Sequence, residues 1–320
     1  MGSKKTLKSA SFPQQAGISR LSLFLALSRT PHLLLDLASP GLAALLCTRA
    51  FPPLDVLALG LITAFSGYTA VYSLNDLIDY RVDRETTITA GTSSAPKADL
   101  DSMLVRHPLA QGMLSFREGL SWTVSWACLA LIGAFFLNPV CLTIFLAACL
   151  LEVAYCFLLK VTYLRSIISG IVKTSGPMAA VFAVNPSPSL PYVAVIFIWL
   201  FFWEIGGQNV PNDLSDLDTD LEIKARTIPV RFGTDGSIMI ILSSLVIALF
   251  MSLAVFRFTP KPLSPLYLLG ALAAGFYFLM LPGLNLFRRR SPEDAFRLFN
   301  RASYYPLSML AITMLSWAIA

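Results

Sequence analysis

Nine stretches of the chain each run for about 20 mostly apolar residues, the length that an α-helix needs to cross a bilayer. They fall at about 20–47, 53–78, 117–137, 139–158, 163–184, 190–211, 236–256, 264–284 and 303–320. In hydrocarbon every backbone N–H and C=O must be satisfied inside the segment, so such runs form helices. Charged residues make up only 13% of the chain and apolar ones 56%. Soluble domains carry about 25% charge, so this chain cannot cover a water-facing surface. The expected fold is an all-α, multi-pass membrane bundle of about nine transmembrane helices.

Residues 1–19 form an N-terminal segment and 20–320 a single transmembrane domain, with the connection 79–116 as a lid. Asn138-Pro139 marks a hairpin between spans three and four, and Pro186 and Pro188 separate spans five and six. Glu85 to Ser102 is rich in Thr, Ser, Ala and Gly and is expected to be a loop, with one short helix near Asp99–Val105. The first apolar run is long and lacks a cleavage-site end, so it is not expected to be a signal peptide. Met1-Gly2-Ser3-Lys4-Lys5-Thr6 fits a loose N-myristoylation pattern, but the pattern is short and the chain has other anchors.

Basic residues orient the bundle. With the N-terminus in the cytoplasm, the inner segments hold Lys4, Lys5 and Lys8; Arg81, Arg84, Lys97 and Arg106; Lys160 and Arg165; Lys224, Arg226 and Arg231; and Arg288 to Arg290. The outer segments hold chiefly Arg49, Arg257 and Lys261. The region from Arg288 to Arg301 reads as a solvated anchor facing anionic lipid. The net charge of +5 is spread between the spans, which argues against nucleic-acid binding. Cys47, Cys128, Cys141, Cys149 and Cys156 lack metal-site spacing and read as small packing residues. No obligate protein partner is indicated; membrane lipid is the expected surround.

Spans two and six end in matching acidic segments, Asn75 to Asp83 and Asn212 to Asp220, 137 residues apart (212 − 75). Both read N-D-L-x-D-x-x-x-D, which stacks Asn, Asp and Asp at i, i+4 and i+8 on one helix face. Stacked like charges repel, so the pattern earns its place through a ligand. One such cluster would pass as an ordinary loop end; two in one register do not. A cation pathway is the rival reading, but no matching charges are expected near mid-bilayer or on the outer side. Mg²⁺ takes one or two carboxylates, keeps waters and fills its shell with phosphate oxygens, so the clusters suit a Mg²⁺-bridged diphosphate. Arg29, Arg106, Lys160, Arg165, Lys224 and Arg226 are the expected phosphate-binding cations, with Arg29 halfway along its span.

The first segment resembles the N-D-x-x-D-x-x-x-D signature of the UbiA superfamily of intramembrane prenyltransferases, and Asp216 with Asp220 resemble its D-x-x-x-D signature. Arg106 to Gly112, the Tyr155…Lys160 spacing and Thr227 to Gly233 also resemble family segments, so the likeness covers nearly the whole chain. It implies helices around a central cavity, two Mg²⁺ ions, a prenyl diphosphate donor at the cytoplasmic rim and an apolar tunnel for its tail. Asn75, Asp79 and Asp83 would form one metal site, and Asn212, Asp216 and Asp220 the other. Tyr155, Lys160 and Arg29 would face the diphosphate or the acceptor. Asp76 and Asp213 are the spare acids expected to take the final proton. His107 stands where the family has Arg before the proline, and the loop before it is long, which leaves the lid and acceptor geometry open.

The implied reaction is Mg²⁺-dependent transfer of a polyprenyl group to a small aromatic acceptor of the 4-hydroxybenzoate type, through an allylic cation. A dry cavity protects that cation, with Tyr72, Trp199, Phe201, Phe202 and Trp203 expected to line it. The alternatives are transfer to a non-aromatic lipid acceptor, a terpene cyclase on the same scaffold and, last, a transporter.

Overall fold

A computed structural model describes residues 18–90, 100–260 and 262–318, and the side chains of all these except 85–90. The myristoylation pattern, Lys4, Lys5, Lys8, Lys97 and Lys261 lie outside the described residues. Among the described residues the fold is helical, and eight helices are long and apolar enough to cross a membrane. The helix at the expected ninth position, Tyr305–Ala318, runs for 14 described residues against its neighbours. The bundle architecture is as expected.

The first span is not one helix. It divides into α1 (Arg20–Leu27), α2 (Thr30–Asp36) and α3 (Ala38–Thr48). Arg29 takes a left-handed conformation, with φ of 46°, and Pro31 in the first turn of α2 fixes the new direction. The membrane-crossing stretch therefore starts at Thr30, and Arg29 sits at its mouth instead of halfway along.

Next comes α4 (Leu54–Ala90), which carries the whole first acidic motif on one continuous helix. It extends beyond the expected loop start at Glu85. A short 3₁₀ turn at Leu100–Met103 matches the expected helix near Asp99–Val105. The segment after it is ordered: His107 and Gly112 have positive φ, and Gln111 Nε2 donates to the Arg106 carbonyl at 2.7 Å.

The hairpin of α5 (Phe116–Leu137) and α6 (Pro139–Phe157) turns on Asn138. Its Oδ1 accepts from Val140 N at 2.8 Å, capping α6, while its Nδ2 donates to the Phe182 carbonyl at 3.0 Å. Phe182 belongs to α7 (Arg165–Val184), so one side chain ties three helices.

The sixth span begins as α8 (Leu190–Trp203), widens into a π-helical turn at Glu204–Asn209, and continues as α9 (Val210–Ser215). Gly206 and Gly207 allow the turn to pack. A Cβ on Gly206 would lie 2.9 Å from the Ile241 carbonyl, and one on Gly207 2.9 Å from Ala302 Cβ. The helix breaks at Asp216 and resumes as α10 (Leu217–Glu222).

The remaining helices are α11 (Ile228–Phe258), α12 (Pro265–Gly275), a π turn at Phe276–Met280, α13 (Leu281–Arg289), α14 (Pro292–Ser303) and α15 (Tyr305–Ala318). The region 288–301 is not a bare solvated anchor. Helix α14 buries Asp294, Ala295 and Leu298 and packs along α9. Trp199 and Trp203 sit fully buried in the main core, with Phe201 and Phe202 packed against it. Of the aromatics expected to line the cavity, Tyr72 does so and these four do not.

Candidate active site

A cavity of about 450 Å³ runs between α2, α3, α4, α6, α7 and the π turn. One part is apolar, with Ala44, Leu57, Gly60, Ala64, Ile144 and Phe145 among its lining. The other is polar. Asn75 and Asp79 reach it from α4, and Asn212 and Asp213 from α9, so the two motifs open into one chamber.

Between them stands Arg165, at the start of α7 and 7% exposed. Its guanidinium lies 4.0 Å from the centre of the Tyr155 ring and within electrostatic reach of both Asp79 and Asp213. Tyr155 OH accepts from Asn209 Nδ2 at 3.1 Å. Asn75 donates its Nδ2 to Glu152 Oε1 at 2.7 Å and to Cys156 Sγ, which turns its amide nitrogen away and leaves the carbonyl oxygen for the cavity. Several buried atoms here have no hydrogen-bond partner in the protein: Arg165 Nε and Nη1, Asp213 Oδ2 and Asn209 Oδ1. Buried polar atoms are almost always satisfied, so this rim is shaped for something else: N–H groups for an anion, oxygens for a cation.

The motifs do not act as uniform ladders. On α4, Asp76 and Asp83 lie seven residues apart, are not part of the chamber lining, and contact Arg29 and the loop residue His107. Asp76 Oδ1 accepts from Arg29 Nη2 at 3.1 Å, and His107 Nδ1 lies 2.9 Å from Asp83 Oδ2 and 3.9 Å from Asp76 Oδ2. Asp76, Asp83 and His107 form the one group among the described residues with metal-ligand spacing. Burial opposes charge on His107, but the hydrogen bond and charge of Asp83, with Asp76, outweigh it and raise its pKa above the ordinary value. His107, at the position where the resemblance implied Arg, thus ties the loop onto the motif. Asp76, expected to take a proton, is instead committed to Arg29 outside the cavity lining.

In the second motif the break at Asp216 separates Asp220 from the cavity. Asp220 Oδ2 accepts from Thr227 Oγ1 at 2.8 Å, tying α10 to the start of α11. Lys160, Lys224 and Arg226 are exposed and do not line the chamber. Arg226 is anchored instead to the turn that follows α6, through the Leu159 and Val161 carbonyls. Arg106 lies half-buried in the loop, outside the lining. Among the expected cations, Arg29 and Arg165 reach the cavity.

Deeper in the chamber lies a second polar group that the motifs did not announce. Lys173 Nζ donates to Asp36 Oδ2 at 2.6 Å and to Tyr72 OH at 3.0 Å, and Tyr72 OH donates to the same Asp36 oxygen. Ser169 Oγ donates to Glu204 Oε1 at 2.8 Å. Charges do therefore occur within the spans, contrary to expectation: Asp36, Glu152, Lys173 and Glu204 interrupt apolar runs, which is the signal that would have found them. Their hydrogen bonds cluster around one chamber.

Comparison with known proteins agrees with this architecture. A 4-hydroxybenzoate octaprenyltransferase of Vibrio cholerae is 25% identical over 280 residues, covering 86% of this chain and 89% of its own. The apo structure of a UbiA homolog from Aeropyrum pernix K1 superposes with a TM-score of 0.69 at 18% identity, over 89% of this chain and 97% of that one. A UbiA homolog from Archaeoglobus fulgidus, bound to DMAPP and Mg²⁺, gives a TM-score of 0.65 at 17% identity, over 91% and 99%. The model of the UbiA prenyltransferase family matches residues 37–309, and with both acidic motifs opening into one chamber the chain belongs to that family.

Proposed function

We propose that the chain transfers a prenyl group from an allylic diphosphate to a carbon of a hydroxylated aromatic acceptor, with Mg²⁺. The observation that carries this reading is the shared rim: Asn75 and Asp79 from one motif, Asn212 and Asp213 from the other, and the unpartnered guanidinium edge of Arg165 between them.

The donor set fits the ion. Asp79, Asp213 and the amide oxygens of Asn75, Asn212 and Asn209 are hard oxygen ligands of the kind Mg²⁺ takes alongside phosphate oxygens and water. They would hold it, and the Archaeoglobus fulgidus relative, of the same fold, is bound to DMAPP and Mg²⁺. Bound there, Mg²⁺ would neutralise the charge that grows on the leaving diphosphate.

The chain's own residues supply the rest. Arg165 donates its free N–H groups to diphosphate oxygens, and Tyr155 holds the guanidinium in place from below. Arg29, at the mouth of the chamber, adds a second positive charge. The apolar wall from Leu57 to Ala64 and from Ile144 to Ala148 takes the isoprenoid tail and excludes water, which would otherwise quench the allylic cation. Tyr68 and Tyr72 line the chamber and present π faces to that cation. The C1–O bond breaks with its electron pair leaving on diphosphate; the acceptor carbon bonds to C1; the ring proton passes to the freed diphosphate.

An aromatic acceptor is favoured by the Vibrio cholerae relative, named for 4-hydroxybenzoate. The concentration of Arg and Lys on one side of the bundle supports a cytoplasmic rim and N-terminus. The test is mass spectrometry of products after incubating the purified chain with Mg²⁺, geranyl diphosphate and 4-hydroxybenzoate. A geranylated phenol is expected. A hydrocarbon formed from the donor alone would point to a cyclase, and absence of both products would overturn the reading.

A further inference from the structure

Helix α7 presents Arg165, Ser169 and Lys173 to the chamber at i, i+4 and i+8. At a rise of 1.5 Å per residue, about 6 Å separates each from the next. The column therefore measures depth: Arg165 at the rim, Ser169 one turn inside, Lys173 two turns inside.

At the middle level Ser169 holds one oxygen of Glu204, and the other oxygen, Oε2, has no hydrogen-bond partner. Glu204 lines the chamber and is 6% exposed. A buried carboxylate oxygen left without a donor is costly. Lys173, the cation one turn deeper, is held across the chamber by Asp36 and Tyr72. A ligand that enters the chamber at this level can supply the missing donor.

The surroundings define that ligand. The His32 ring stacks on Phe299 at 5.6 Å with 21° between planes, and Tyr68 on Tyr72 at 6.5 Å with 27°. All four line the chamber, and their flat faces suit a flat ring. The depth fits too. The reacting carbon of an allylic donor is one bond from the diphosphate at Arg165, and an attacking atom must lie about 3–3.5 Å beyond it, which is the level of Ser169 and Glu204.

We propose that Glu204, oriented by Ser169, binds the hydroxyl of the prenyl acceptor, its Oε2 accepting the O–H hydrogen bond of a flat hydroxylated ring. This rests on the prenyl-transfer reading given above. By taking that hydrogen bond the carboxylate fixes which ring carbon faces C1. It also raises electron density at the carbons beside the hydroxyl, where an electrophile adds. Selection is thus for the hydroxyl, since an analogue without one leaves Oε2 unpaired.

Calorimetry in lipid nanodiscs tests this, with Mg²⁺ and the unreactive donor geranyl S-thiolodiphosphate present and 4-hydroxybenzoate or benzoate as probes. Wild-type protein should bind 4-hydroxybenzoate about tenfold or more tighter than benzoate, the scale of one charge-assisted hydrogen bond. Glu204→Leu should bind the two alike, while keeping wild-type affinity for the thiolodiphosphate as evidence of its fold. Ser169→Ala should lose part of the preference, and decides the matter if Glu204→Leu does not fold. A preference unchanged in the folded variants, or absent from the wild type, overturns the proposal. Wild-type turnover run in parallel separates the two readings. Absence of prenylated phenol would defeat the reaction, whereas a hydroxyl preference that depends on Glu204 would still support the site.

Discussion

Asp76 and Asp79 are three residues apart on one helix and meet different partners: Asp76 contacts Arg29 and lies near His107, while Asp79 lines the chamber. His107 is the residue whose charge state this arrangement controls. Its pKa is raised in the folded protein, so its ion pair with Asp83 stabilises the metal-free fold below the unfolded value near 6.5 and is lost as pH rises through the folded value. In chelator-treated protein the melting temperature of wild type should exceed that of His107→Gln at pH 6 and converge with it by pH 9. A gap that is constant or widens with pH would contradict this. At this scale the sequence was partly legible. Of the expected residues, Asn75, Asp79, Asn212, Asp213, Tyr155, Arg29 and Arg165 line the chamber, whereas Asp76, Asp83, Asp216 and Asp220 do not. Lys160, Lys224 and Arg226 do not, because basic residues at helix ends serve loops and topology as readily as a ligand. Asp36, Lys173 and Glu204 were overlooked because they belong to no repeated pattern; only their position inside apolar runs marks them.

Helix α4 and the stretch 204–222 carry the same motif on different scaffolds. The first is a continuous helix, yet only Asn75 and Asp79 of its motif line the chamber. The second passes through a π turn and a break at Asp216, and periodicity cannot report either. The break at Arg29 was equally hidden, since a left-handed Arg is held by its surroundings and Pro31 alone permits a straight start. The π turn rests on Gly206, whose missing side chain lets α11 approach, with Ser244 Cβ only 2.7 Å from the site of a Cβ. Gly206→Val must push α11 away and should destabilise the protein by about 1–3 kcal/mol through overpacking. It should also weaken donor binding, because Asn209, Asn212 and Asp213 follow directly in the chain. A melting temperature and donor affinity both equal to wild type would show that the turn tolerates bulk.

The described residues form a bundle with a polar chamber between its helices and an outer surface rich in apolar side chains, with Leu61, Phe136, Leu150 and Phe250 each more than half exposed. That surface belongs in lipid, and the positive residues decide which end faces the cytoplasm. In intact cells a membrane-impermeant maleimide should label a Cys-free chain carrying Arg257→Cys but not one carrying Arg84→Cys, with the reverse in inverted vesicles. Labelling of both positions from the same side would refute the topology. The central claim, that two acidic motifs from different helices hold one ion and diphosphate assembly, is tested most directly by Mn²⁺ binding. Electron paramagnetic resonance would count the ions bound with geranyl S-thiolodiphosphate present, in wild type, Asp79→Ala and Asp213→Ala. Each substitution alone should weaken Mn²⁺ binding about tenfold or more, and each should weaken thiolodiphosphate binding in step with it. Loss on one side only, with full binding of ion and diphosphate retained in the other variant, would contradict a shared site.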